Sequence, residues 1–380
     1  MKTVREAIWR VAFVAVMLTC LPGSRLGAQE AVAQEAEAVT AADDAYHYAD
    51  WKDGQFDNRY TERWYFNFHD EFAGVRASFS YYVTNPENIG ETGQARMVAV
   101  AFTRREILTA NDVYPVAGFS ASATSAGVTI DSGTGEISTV ETLPDGSCAI
   151  KGMTHDRRLT WDLVYTPAAA SVPWAAGDHM QVGYYYWEEM SWLVQSPRAH
   201  VTGTVTIDGR RRAINAPGYH DHNWGEWIPT DATWNWAQYN SPYVSLELAD
   251  FIGKSAGVVA LDVAGVRTVF AHNQYTLEHK KWAWDRDNAH YYPTQTLLTA
   301  DNGAVRVQVT IYTLKTQPLR DPQVRPLPDL ITYEQTASYI GRVWVLTPVV
   351  GGTTGAAEPE WRVAAWLWGV GFKEHSGWVY

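Results

Sequence analysis

Cysteine is nearly absent: the 380 residues hold only Cys20 and Cys148. Cys20 falls in an N-terminal segment read below as a removable signal, and one remaining thiol cannot close an intramolecular disulfide. A disulfide scaffold is thereby excluded, and Cys148 reads as a small core residue. Basic residues are also scarce, with 30 Lys and Arg against 42 Asp and Glu, a net charge of −12. Residues 1–28 carry +3 (Lys2, Arg5, Arg10 and Arg25 against Glu6), so the rest of the chain stands at −15. That excess repels phosphate backbones and anionic headgroups, which excludes nucleic acid as a partner. The chain has no GxSxG, no Walker-type glycine loop, no GxGxxG opening a helix and no HExxH. Helical periodicity is scarce after residue 45, and no segment beyond the N-terminus is apolar for long enough to cross a bilayer as a helix.

The N-terminus has its own pattern. Lys2, Arg5 and Arg10 form a charged start, Val11 to Leu21 is an apolar run, and Leu26-Gly27-Ala28 offers small residues before Gln29. This is the layout of a secretory signal, so the expectation is export to a periplasmic or extracellular space. Thr19 before Cys20 is a poor match to a lipoprotein anchor. Residues 29–45, QEAVAQEAEAVTAADDA, hold no aromatic and are expected to be a disordered leader, with order starting near Tyr46.

Aromatic residues are plentiful: 13% of the chain, with 18 Trp and 21 Tyr. They sit among short strand-like runs at about ten-residue spacing. Arg76–Val83, Arg96–Thr103, Ser147–Met153, Arg158–Thr166, Gln181–Trp187 and Val201–Ile207 make one set. Asp208-Gly209 is a two-residue hairpin signal leading into Arg211–Ile214. A second set comprises Tyr243–Leu248, Val258–Val263, Val266–Ala271, Tyr291–Ala300, Ala304–Leu314, Leu330–Val345 and Glu360–Phe372. The expectation is an all-β protein with two tandem antiparallel β-barrels, residues 46–210 and 211–380. Barrels of about eight strands leave room for one small ligand.

The densest stretch is residues 216–239, APGYHDHNWGEWIPTDATWNWAQY. Two histidines flank an aspartate in His220-Asp221-His222, and Trp224, Trp227, Trp234 and Trp236 fall within thirteen residues. A His or Asp desolvated beside an apolar cavity has a shifted pKa and can deliver a proton to a carbon–carbon double bond. The resulting cation needs electron-rich faces, which those tryptophans, with Tyr219 and Tyr239, can supply. The candidate catalytic residues are His222, Asp221 and Asp250, the last of which follows the strand Tyr243–Leu248. The same aromatic set would equally suit a passive pocket. His220 and His222 with a third ligand could hold zinc, but no second close His pair appears, so no metal is expected. Glu247 reads as a solvated outward residue. Glu62-Arg63 reads either as a strand edge or as a pair reaching the motif of the second domain.

These residues carry a resemblance. Gly218-Tyr219-His220-Asp221-His222-Asn223-Trp224-Gly225 resembles the hallmark box of the carotenoid 1,2-hydratase (hydroxyneurosporene synthase) and lipocalin-like Diels–Alderase superfamily. Glu62-Arg63-Trp64-Tyr65-Phe66 is similar to its N-terminal signature, and the order of elements from Pro197 to Gly225 agrees. The resemblance spans roughly residues 46–380. It implies tandem lipocalin-like (calycin) barrels, a pocket near their interface, and chemistry without a cofactor. It also implies a hydrophobic small-molecule substrate, with His222 and Trp224 matching the family's His-x-Trp and Asp250 as the nearest counterpart of its acid. The activity so implied is alkene protonation with water addition or cyclisation on an isoprenoid or polyene. The alternatives are a pericyclic cyclase, which needs only a shaped pocket, and a non-enzymatic carrier of a lipid or pigment. A peripheral membrane contact would give access to so apolar a substrate.

Overall fold

A computed structural model describes residues 39–379 except 170, 228–231, 322–328 and 348–358. The signal segment and most of the acidic leader lie outside the described residues. Strands dominate, as the period-two patterning and turn signals require, and the two sheets are lipocalin-like: a nearly closed barrel and a half-barrel.

The first sheet has twelve strands. Tyr60–Asp70 lies at its middle, between Val75–Thr84 on one side and Arg210–Glu226 on the other, and Glu189–Ile207 follows next. All these pairings are antiparallel. The second sheet has nine strands and runs from Val266–Ala271 through Val244–Phe251, Trp234–Asn240, Glu360–Val379 and Asp329–Thr347 to Tyr275–Asp285.

Turn chemistry explains the hairpins. Asp208 (φ 47°) and Gly209 (φ 74°) both take positive φ between two long strands, as do Ala264 (φ 54°) and Gly265 (φ 89°). Paired positive φ is the two-residue turn whose twist matches that of its flanking strands.

Three expectations are corrected here. The first sheet extends through Glu226 rather than stopping at residue 210, because Arg210–Glu226 is hydrogen-bonded to Tyr60–Asp70 along its second half. The segment QVGYYYW is not a strand: pairing ends at Gln181, and Tyr184, Tyr185 and Tyr186 stand exposed in a loop. Order begins before Tyr46. Ala41–Asp44 forms a 3-10 turn capped by Thr40, and Asp44 is buried.

Apolar side chains collect in three places. Trp64, Phe66, Phe79, Tyr81 and Trp161 fill the first barrel. Leu246, Leu248, Phe270, Leu298 and Tyr339 line the second. A third cluster lies between the barrels and draws on both, with Tyr65, Trp192 and Tyr219 from the first sheet against Trp234, Trp236, Ala249 and Phe251 from the second. Burying the faces of both sheets there makes the interface part of the core.

Candidate functional site

The box Gly218–Gly225 lies within the strand Arg210–Glu226, paired residue for residue with the early signature. Trp64 stands opposite His222, Tyr65 opposite Asp221, and Phe66 opposite His220. Side chains alternate across a strand, so adjacent residues of the box go to opposite faces. This separates residues that sequence reading had placed in one site.

One face looks into the first barrel. His220 stacks on Phe66 at 3.9 Å, and His222 on Trp64 at 4.4 Å. Asp44 of the leader lies 2.9 Å from His220 Nε2 and 3.2 Å from His222 Nδ1. Glu62 Oε1 is 2.8 Å from His222 Nε2, and the other oxygen of Glu62 accepts from the Tyr60 hydroxyl. His47 lies flat against Trp224, ring centroids 3.7 Å apart, and its backbone N–H donates to Glu62. Burial raises the Asp44 carboxyl, but His220 and His222 outweigh it and hold the group down at about 2. Burial likewise raises Glu62, and hydrogen bonds from His222 and His47 bring it below the usual range. Burial lowers the His222 imidazole, and its two carboxylate neighbours more than reverse this. The face is a buried ionic network with His222 as its shared cation. Of the two readings of Glu62, a strand edge or a partner of the motif, the contact with His222 is the second.

The other face looks between the barrels. Asp221 and Asn223 line a cleft with Arg63, Tyr65, Met190, Trp192, Trp227, Trp234, Trp236, Ala249, Phe251 and Glu374. The cleft opens to solvent, and its empty space is about 460 Å³ counting the open mouth. The Tyr219 hydroxyl donates to Asp221 Oδ2 at 2.8 Å. Burial pushes the Asp221 carboxyl up to about 6, against the opposing pull of Arg63 and of the Tyr219 hydrogen bond. Near neutral pH part of the population therefore holds a proton there.

The polar end of the cleft is fixed. Arg63 bonds Glu374 Oε1 at 3.1 Å while lying 4.6 Å from the Tyr65 ring centre. Trp234 Nε1 donates to the other Glu374 oxygen at 2.9 Å, which fixes the indole. Trp236 meets Tyr65 edge-on at 5.2 Å and Tyr219 at 5.7 Å. A second cleft continues from this end, sharing Arg63, Trp227, Trp234 and Glu374 and adding Arg96, Arg320 and Glu334. Burial and the neighbouring Glu374 push Glu334 well above the usual carboxyl range.

Of the residues chosen from sequence, the structure brings Asp221, Trp227, Trp234 and Trp236 to this pocket, with Tyr219 directly behind Asp221. His222 and Trp224 face the first barrel instead. Asp250 points away from the pocket that its neighbours Ala249 and Phe251 line, and accepts from the Tyr275 hydroxyl at 2.9 Å and from Asn235 at 3.2 Å. Tyr239 packs in the core of the second sheet against Tyr339. Glu247, expected in solvent, is fully buried between the sheets because its strand is covered on both faces. Sequence reading missed Asp44, Trp192 and Glu374. Trp192 lies in a strand with no motif, and Glu374 reaches the site from residue 374 through sheet pairing alone.

The fold and this cleft define a tandem lipocalin-like barrel protein with a pocket at the barrel interface. The chain is similar over 90% of its length to a protein described as an AttH, from Nitrosomonas europaea, at 14% identity, a TM-score of 0.66 and 98% coverage of that chain. It is similar to kievitone hydratase from Nectria haematococca at 15% identity and a TM-score of 0.52, covering 90% of this chain and 97% of that one. It is also similar to CghA, solved with Sch210972, at 12% identity and a TM-score of 0.51, with 84% and 88% covered. These neighbours share the fold of the superfamily that the box resembles. No protein-family model and no curated protein matches the chain.

Proposed function

We propose that the chain is an enzyme of hydratase or cyclase type that protonates an apolar unsaturated molecule held between the two barrels. The observation that supports this most is Asp221, a buried carboxyl facing a cleft walled by Trp192, Trp234 and Trp236. An alkene carbon takes the proton from the Asp221 carboxyl, leaving a carboxylate and a carbocation. The tryptophan faces stabilise the cation, and the Asp221 carboxylate left behind is its counter-charge. Water adds to the cation and returns its extra proton to Asp221, so the acid is restored and the net change is addition of one water. Capture by a second double bond of the same molecule gives a ring instead. Tyr219 and Arg63 orient and tune Asp221, while His222 and Glu62 hold the strand from behind. An isoprenoid or polyene suits the walls, and export would place the reaction outside the cytoplasm.

The test is to incubate the purified protein with extracted and defined isoprenoid lipids and to follow product by mass spectrometry. A gain of one water supports the hydratase, and an unchanged mass with a new retention time supports a cyclase. Asp221→Asn should lower product formation by about 10²–10⁴-fold, the usual worth of a positioned acid, while Asp250→Asn stays within a few-fold of the parent. Recovery of a bound but unaltered molecule would favour a carrier. Full turnover by Asp221→Asn would leave a pocket that acts by shape alone.

A further inference from the structure

On the opposite side of the strand from the proposed reaction, three side chains from distant parts of the chain converge at the edge of the first barrel. His47 comes from the start of the short helix Tyr48–Trp51, Glu62 from Tyr60–Asp70 and His222 from Arg210–Glu226. One nitrogen or oxygen from each lies within 4.8 Å of the others. Glu62 Oε1 is 2.8 Å from His222 Nε2 and 3.3 Å from His47 Nδ1.

We propose that His47 Nδ1, Glu62 Oε1 and His222 Nε2 form a binding site for a divalent late transition metal, with zinc the best fit. Tetrahedral zinc with bonds of about 2.0–2.1 Å sets neighbouring ligand atoms about 3.3 Å apart and the centres of two bound imidazoles about 5.2 Å apart. The His47 and His222 ring centres are 5.3 Å apart. Opening the Glu62–His222 contact by roughly half an ångström therefore suffices on that side, within side-chain movement.

The surroundings are those of a metal site. Ligating histidines commonly direct their second nitrogen at a carboxylate, which fixes ring and tautomer. His222 Nδ1 faces Asp44 Oδ1 at 3.2 Å, and neither atom has a hydrogen-bond partner of good geometry. The His47 ring is held parallel to Trp224, with 4° between the planes. Its side chain is 15% exposed, while those of Glu62 and His222 are fully buried. The ion would reach the site past His47, and a water would complete the shell from that side. The ion replaces the proton shared by His222 and Glu62, so two buried carboxylates, Glu62 and Asp44, keep a positive partner. The bond ties the segment before Tyr48–Trp51 to two neighbouring strands of the first barrel. Two imidazoles with one carboxylate suit zinc better than magnesium or calcium, which prefer oxygen alone.

The experiment uses the full chain after treatment with a chelator. Zinc titration by calorimetry should give one ion per chain and raise the melting temperature. Cobalt(II) should give the intense visible absorption of a tetrahedral site and be displaced by zinc. His47→Ala removes a ligand that is not fully buried, so folding should survive while affinity falls by at least about 100-fold. Asp44→Asn should weaken binding by about 10–100-fold, as loss of an outer partner does. A second acidic group, Asp53, Asp57 and Glu226, lies elsewhere; Asp53→Asn in that group serves as the control and should leave zinc binding unchanged. The proposal is overturned if the parent chain binds no zinc at micromolar free concentration. It is equally overturned if binding survives His47→Ala and is lost with Asp53→Asn. None of these readouts depends on turnover.

Discussion

Glu247 shows at the residue scale how a buried acid couples folding to pH. It is fully buried on the strand Val244–Phe251. Burial pushes its carboxyl up to about 8 from 4.5, with Ser245 and Arg267 pulling the other way. An acid whose folded pKa is raised binds its proton more tightly in the native state. Stability from this group is therefore full below about pH 4.5 and is lost as pH climbs towards 8, at about 1.4 kcal/mol for each pH step of one between those limits. Glu247→Gln keeps the shape without the ionisation. In urea denaturation the variant should match the parent within about 1 kcal/mol at pH 5 and exceed it by a few kcal/mol at pH 9. An equal difference at both pH values would contradict the assignment. No sequence pattern marks Glu247, because YVSLEL reads as one alternating strand whose polar face should meet water. The polar face meets the other barrel instead, and only the tertiary contact decides that.

At the element scale, the strand Arg210–Glu226 connects the two faces of the molecule. The sequence made the box visible, and both of its glycines sit within pairing. Their role is close approach. A Cβ on Gly225 would lie 2.2 Å from the Glu189 carbonyl oxygen, and its φ of +151° is strained for other residues. A Cβ on Gly218 would lie 2.3 Å from a Val201 methyl and 2.6 Å from the Asn67 carbonyl oxygen. Gly225→Ala must push neighbouring backbone aside, and should cost about 2–3 kcal/mol or more in chemical denaturation. Gly209→Ala in the adjoining hairpin meets nothing within 4 Å and pays only for its φ of +74°. It should cost about 1 kcal/mol. A reversed order of the two would show that the strand tolerates separation at Gly225. The alternation of the box also explains why His222 and Asp221 looked like one site. They are neighbours in sequence and lie on opposite faces in space, and sequence gives the alternation but not which face meets which barrel.

For the whole molecule, the hairpin signal at Asp208-Gly209 falls between paired strands, and most of the strand series is where period two puts it. The boundary between barrels was less legible. No linker composition marks it, because the strand past residue 210 still belongs to the first sheet. The barrels also share a core, so neither is expected to unfold alone. Arg198, on the strand Glu189–Ile207, lies 3.3 Å from Asp262 on Gly257–Val263, and it donates to the Pro242 carbonyl at 2.8 Å. Arg63 bridges to Glu374 in the same way. Breaking a buried pair by removing one partner leaves the other charge stranded and usually costs about 3–5 kcal/mol. Arg267 remains 3.8 Å from Asp262 and softens the loss, so Arg198→Met should cost about 3 kcal/mol. Because the interface is continuous with both cores, that cost should appear as a lower midpoint for one cooperative transition. Calorimetry and near-ultraviolet circular dichroism should then move together. If Arg198→Met instead splits the melt into two transitions, with one left at the parent temperature, the barrels fold independently and the pocket between them is a docked surface.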